Sequence, residues 1–180
     1  MPLFASVAST SAECAGGLAG DEIVADPDVV MDRGFDLLAP PHEVWPWIVQ
    51  LGKGRSGWYL PRAVERWLPA RRRALRRIDP ALQGLAVGDV IPDWGGPNVT
   101  FEIAALHAPD TLVHRSQRGR LGVSWTIVLV PLGDSGTRVR LRLRLGPVRR
   151  RWLVATGGEL LDLLTIVGLA AGLRERLAAR

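Results

Sequence analysis

Lysine and cysteine are almost missing from this sequence. Lys53 is the one lysine, so the remaining basic residues are arginines, and the excess over acids leaves a formal charge of +5. Such a balance alone would suit nucleic acid or an anionic membrane surface. No recognised nucleic-acid motif accompanies it, and a skew toward arginine also arises from codon composition, so no nucleic-acid partner is expected. Cys14 is the one cysteine. It excludes an intrachain disulfide and any multi-cysteine metal site, and it suits a reducing, cytoplasmic setting. No basic residue precedes Arg33, so a secretory leader with a charged start is not expected.

A clean transmembrane run is missing too. Trp152 to Leu173 is long enough to span a bilayer, but Glu159 and Asp162 sit near its middle. An acid there costs about 2.5–3.5 kcal/mol on insertion scales. Gly157, Gly158, Gly168 and Gly172 weaken the segment further as a free helix. A buried helix that covers a sheet is the expectation; contact with a membrane surface stays open, a span does not.

What is present is a globular balance, with 47% apolar residues in a chain of 180, enough for one domain with a sizeable core. Residues 1–19, rich in Ala, Ser, Thr and Gly, are expected to be a loose tail, and residues 20–180 the domain.

Val29 to Leu38 alternates, with Met31, Arg33, Phe35 and Leu37 on one face, as in a half-buried strand. Pro40 and Pro41 end it and preset a helix. Val44, Ile48 and Leu51 continue that helix at helical spacing, with Pro46 inside it and Gly52 as its stop. After the loop GKGRSG a second short helix is predicted from about Leu60 to Leu68, followed by a basic linker, ARRRALRRIDPAL. Strands then follow at 87–92, 99–107, 111–116, 123–132 and 137–145, with a turn at Ala108-Pro109-Asp110. The last strand alternates most cleanly. Arg138, Arg140, Arg142 and Arg144 are expected to face water, and Val139, Leu141, Leu143 and Leu145 the core. A long helix from about Val148 to Ala178 closes the chain, with Arg174, Arg176 and Arg180 complementing its dipole. Successive strands with short turns exclude a parallel, doubly wound sheet. The fold class is therefore α+β: a curved antiparallel sheet of about six strands, its apolar face covered by one long helix, with room for a cavity between.

The segments GDEIV, LAPPHEVWPWIVQLGKGRSGWY, RRIDPALQGLAVGDVIPDW, VSWTIVLVP and TRVRLRLRL resemble the START-like (SRPBCC) helix-grip superfamily, in its bacterial polyketide cyclase/dehydrase-like branch. The resemblance covers roughly residues 20–145. It implies an apolar pocket between sheet and terminal helix, suited to a lipid, polyketide or other hydrophobic small molecule. It implies no particular reaction, because superfamily members share no fixed catalytic set.

Candidate ligand contacts follow from position and chemistry. Indole and phenol rings offer broad apolar faces with one polar handle, which singles out Trp45, Trp58, Tyr59, Trp94 and Trp125, with Phe101 on the neighbouring strand. Trp47 and Trp67 lie on elements near the same space. His107 and His114 flank a turn and are placed to approach one another across a hairpin, but no third metal ligand accompanies them. No metal and no cofactor is expected. Glu159 and Asp162, three apart on the last helix, share a face. They would be desolvated acids if that face meets the pocket, or partners of Arg33, which is predicted to point inward and must find a counter-charge. The GKGRSG loop lacks the P-loop pattern and follows a helix rather than opening one; it reads as a turn near the cavity mouth where Lys53 and Arg55 meet an anionic head group. Asp89 and Asp93 read as capping or solvated acids. The Arg71–Arg77 and Arg149–Arg151 clusters read as solvated faces.

The leading expectation is a binder of a hydrophobic small molecule. The alternatives are an enzyme of polyketide-cyclase type, with catalytic residues unassigned, and a basic module for anionic membranes or nucleic acid.

Overall fold

Alternating apolar segments form one antiparallel sheet of six strands: β1 (Val29–Leu37), β2 (Val90–Pro92), β3 (Thr100–His107), β4 (Thr111–Arg118), β5 (Leu121–Leu132) and β6 (Gly136–Gly146). The computed structural model describes residues 6–148 and 157–179. Spatial order is β1-β6-β5-β4-β3-β2, so the first strand returns beside the last. Its register sets Arg33 opposite Leu141 and Asp32 opposite Arg142.

Helix α1 (Ser11–Ala15) lies in the N-terminal segment, α2 (Pro41–Gln50) follows β1, α3 (Arg62–Glu65) is a single turn, and α4 (Glu159–Ala178) closes the chain. Pro40 and Pro41 start α2, which runs through Pro46 and buries Val44, Trp45, Trp47 and Ile48. The predicted second helix is shorter than the spacing suggested. Val64 and Trp67 are exposed, so no apolar partner extends it. The basic linker makes two 3-10 turns, Ala70–Arg72 and Pro80–Leu82.

Helix α4 buries Ile166, Leu169, Ala170 and Leu173 and packs on β1. At Gly172 the helix backbone passes so close to Tyr59 and Leu60 that a Cβ would sit 2.6–2.8 Å from their backbone atoms. Gly172, one of the glycines that weaken the isolated helix, is thus what admits it here. Arg176, placed by the sequence at the helix end for its dipole, is buried instead. It donates to the carbonyls of Leu60, Gly172 and Leu75, pairs with Glu65 at 2.7 Å and lies over the Tyr59 ring. Arg76 of the linker bridges Glu65 and Glu175, so this part of the basic run is a structural tie rather than a solvated face. The residues expected to begin the long helix, with Trp152 and Arg149–Arg151, lie outside the described residues. No helix among the described residues is long and apolar enough to cross a membrane.

The largest departure from the sequence reading is at the N-terminus. Residues 6–19 are no loose tail. Val7 is fully buried, Ala8 bridges Arg33 at the free edge of β1, and α1 is closed by a reciprocal cap between Thr10 and Glu13. The segment then crosses the outer face of the sheet, where the β6 arginines were expected to meet water. Arg138 pairs with Glu13 at 2.8 Å. Arg142 pairs with Asp32 and Asp21 and donates to the carbonyls of Gly16 and Cys14. Arg144 donates to the carbonyls of Val24 and Ala25. Thr126 donates to Ala19, and Gly20, at φ 84°, turns the chain hard against Val113. Each arginine supplies several donors in a fixed fork, and the arm brings carbonyls and carboxylates in sequence along the ladder.

Candidate functional site

Between the sheet and α4 lies a cavity of about 160 Å³. Leu51 and Gly52, at the end of α2, give one side; Ile91 of β2 and Phe101 of β3 give another; Trp125 of β5 and Leu143 of β6 form the floor; Asp162, Thr165 and Ile166 of α4 form the roof. Trp58 and Trp94 complete the wall. The exposed wall is mostly carbon, and the charged groups in it are Asp93 and Asp162.

The aromatic rings pack on each other. Trp58 lies 6.0 Å from Trp125 with planes 29° apart, and Trp94 meets Trp58 edge-on at 5.6 Å. Trp58 donates its indole N–H to the carbonyl of Thr165 at 3.1 Å, which fastens this wall to the roof. His114 stands behind: its ring stacks 4.9 Å from Trp125 and meets Phe101 edge-on. Burial pushes His114 down to about 4, against the opposing bond of its Nδ1 to the Trp125 carbonyl. It is a neutral, packed imidazole.

Arg33 points inward as its phase on β1 predicts, and its counter-charges are the two acids of α4. Its Nε lies 2.9 Å from Asp162 Oδ2, and its Nη2 3.5 Å from Glu159 Oε1. The first contact is ionic without hydrogen-bond alignment, so Asp162 Oδ2 is a buried acceptor that receives no aligned hydrogen bond. Burial raises Asp162 to about 6, more than the guanidinium of Arg33 lowers it, and the neighbouring Glu159 adds to the rise. The arrangement therefore offers an apolar hollow with one carboxyl that changes charge near neutrality and can share a proton with a ligand.

Of the residues singled out from the sequence, Trp58, Trp94, Phe101, Trp125 and Asp162 line the cavity. Arg33 and His114 stand one layer behind it, and Glu159 is exposed beyond Arg33. Trp45 and Tyr59 are elsewhere: Trp45 is buried in α2, and Tyr59 donates to the Trp47 carbonyl and packs edge-on to the Trp47 ring. Burial lifts the Tyr59 hydroxyl to about 12, so it stays protonated. His107 and His114 do not meet. His107 pairs with Thr111 and is exposed, whereas His114 is opposite Ile103, one strand turn deeper. Among the described residues no cluster of His, Cys, Asp or Glu is arranged to hold a metal ion.

Sequence reasoning missed Leu143, Thr165 and Ile166 as wall residues, and it misread Asp93. That carboxylate lines the cavity and pairs with Arg118 at 2.5 Å while accepting the Trp94 N–H. Asp89 caps the Ala86 N–H, as expected of it. The alternation of β6 marked Leu143 as inward; nothing local marked Asp93. The GKGRSG loop is a tight turn, with Gly52, Gly54 and Gly57 all at positive φ where side chains are strained. Lys53 and Arg55 donate to backbone carbonyls of Asp93 and of Val49 and Leu82.

No protein-family model matches the chain, and no curated protein matches it. Solved structures do. A Rhodobacter sphaeroides protein is 17% identical over 84% of this chain and 93% of its own, with TM-score 0.53. The Mesorhizobium loti protein MLL2253 is 19% identical over 84% of this chain and 98% of its own, with TM-score 0.51. DynU16, a protein of the dynemicin biosynthetic locus, is 19% identical over 84% of this chain and 48% of its own, with TM-score 0.50. Likeness at this identity is likeness of fold. The fold is the helix-grip arrangement: a six-stranded antiparallel sheet with one long helix.

Proposed function

We propose that this protein binds an apolar small molecule, seated between the tryptophan wall and α4 and oriented by the Asp162 carboxyl. The observation that carries the reading is the hollow itself: about 160 Å³ of space walled by Trp58, Trp94, Phe101, Trp125, Leu143 and Ile166. An apolar cavity of about 150 Å³ suffices for a benzene ring, so the space takes one ring or a short branched chain of a ligand, with the rest of a larger molecule at its mouth. Burial of apolar surface supplies the affinity, and the buried Asp162 Oδ2, ion-paired with Arg33 but accepting no aligned hydrogen bond, supplies direction. DynU16 is a protein of the dynemicin biosynthetic locus, which supports a ligand of biosynthetic-intermediate type, and the helix-grip fold supports the hollow.

The test is titration with N-phenyl-1-naphthylamine, a neutral apolar fluorophore, into the protein and into Leu143→Phe, which fills the floor. The native chain should enhance the emission, and the variant should bind about tenfold more weakly, which is about 1.4 kcal/mol, while keeping its circular dichroism. No binding by the native chain, or no change in the folded variant, would remove the cavity from consideration.

A further inference from the structure

A second hollow, about 780 Å³, lies on the far side of the same tryptophans. Trp58 and Trp94 belong to both walls. The turn from Gly52 to Gly57 divides them: Gly52 faces the apolar cavity, and Lys53 to Gly57 face the groove. The opposite wall of the groove is the 3-10 segment with Arg71, Arg72 and Arg73.

The charge in this groove has one sign. Five cations line it, Lys53, Arg55, Arg71, Arg72 and Arg73, and no carboxylate does. Lys53, Arg55 and Arg73 donate to backbone carbonyls, which hold the side chains in place without cancelling their charge. Arg55 keeps a buried Nε with no acceptor. Arg71 and Arg72 are exposed and enter no ion pair among the described residues. Many of the other arginines face acids instead: those of β6, with Arg33, Arg76, Arg115, Arg118 and Arg176. Low-dielectric walls such as the two indoles concentrate a field of one sign.

We infer that the ligand is an anionic amphiphile, whose apolar part enters the tryptophan-lined cavity and whose carboxylate, sulfonate or phosphate lies in the basic groove. The inference rests on the binding reading above and adds the ligand's charge class. The dimensions agree with it. The cavity alone is smaller than the roughly 300–1,000 Å³ common for ligand sites, so a larger molecule must extend past the indoles, and the groove they share is the adjoining space. Planar guanidinium groups suit a forked oxyanion.

Two probes with the same apolar body separate the claims. 1-Anilinonaphthalene-8-sulfonate carries the anion, and N-phenyl-1-naphthylamine lacks it. The native protein should bind the sulfonate more tightly, and only the sulfonate should weaken as salt is raised. The double variant Arg71→Ala/Arg72→Ala should lose about two- to thirtyfold in sulfonate affinity, the range for two exposed ion pairs, with the neutral probe unchanged. A charge-matched control, Arg62→Ala/Arg120→Ala, should leave both probes unchanged. Equal affinity for the two probes, or a sulfonate loss as large in the control, would overturn the anionic subsite and leave the cavity reading standing. Failure of the neutral probe to bind the native chain would overturn the cavity reading and this one with it. Co-sedimentation with phosphatidylglycerol vesicles that depends on Arg71 and Arg72, while sulfonate binding does not, would assign the groove to a membrane surface and overturn the proposal.

Discussion

Near pH 5 two buried side chains hold protonation states opposite to those of the free groups. Asp162, raised to about 6, keeps its proton; His114, lowered to about 4, has none. The folded chain therefore holds a proton on Asp162 that the unfolded chain releases as pH rises from about 4 to 6, and this group's contribution to stability falls over that window. His114 acts the other way. The unfolded chain takes up a proton between about 6.5 and 4 that the folded chain refuses, so this contribution is complete above 6.5 and is lost on acidification. In the native protein the two slopes oppose. Asp162→Asn removes one of them, and the urea midpoint of that variant should fall more steeply than the native one between pH 6.5 and 4; equal slopes would contradict the assignment. At this scale the sequence was readable where phase decided the matter. Arg33 shares the face of Met31 and Phe35, and two acids three apart on the last helix were its natural partners. It was unreadable where register decided. The hairpin pairs His107 with Thr111, which leaves His107 outside and His114 three residues deeper, and the pair could be judged only once that turn register was known.

Among the elements, the β6 ladder and α4 carry most of the long-range ties. An arginine at every second position reads as a wet face, yet Arg142 is 4% exposed because the N-terminal arm covers it. Arg142→Met would leave Asp32 without its cation and Asp21 with Arg144 alone. Removing one partner of a buried ion pair costs about 3–5 kcal/mol, and chemical denaturation should show a loss of that order. For α4 the contrast lies between two glycines. A Cβ at Gly172 meets the Tyr59 and Leu60 backbone, whereas at Gly168 it meets the end of the Leu60 side chain, which can turn aside. Gly172→Ala should destabilise by about 1–3 kcal/mol, the usual overpacking cost, despite alanine's better helix propensity; Gly168→Ala should be close to neutral, since about 1 kcal/mol of propensity offsets the displaced leucine. Element order and most strand positions were legible because alternation and proline stops are local signals. The arm was not, because its polar, small-residue composition has no period and its partners are about a hundred residues away.

For the molecule as a whole, the sheet, α2 and α4 enclose the cavity, and the turn at Gly52–Gly57 divides it from the basic groove. A ligand that binds the folded chain alone raises its stability by mass action, about 2.7 kcal/mol at a hundred times Kd. For a domain of this size that corresponds to about 5–10 °C in Tm. Saturating N-phenyl-1-naphthylamine should give a shift of that size in the native chain and a much smaller one in Leu143→Phe, read by scanning calorimetry.

The sequence by itself determined the α+β class, the antiparallel order, the inward Arg33 and the terminal helix as the cover of the apolar face, because each of these is written in the spacing of neighbouring residues. Only the tertiary structure decided that the β6 arginines are clamped beneath the N-terminal arm, that Trp58, Trp94 and Trp125 meet while Trp45 and Trp67 stay apart, and that Asp93 and Asp162 face one hollow. Those outcomes depend on strand register and on the close approach of segments far apart in the chain, and no local pattern encodes either.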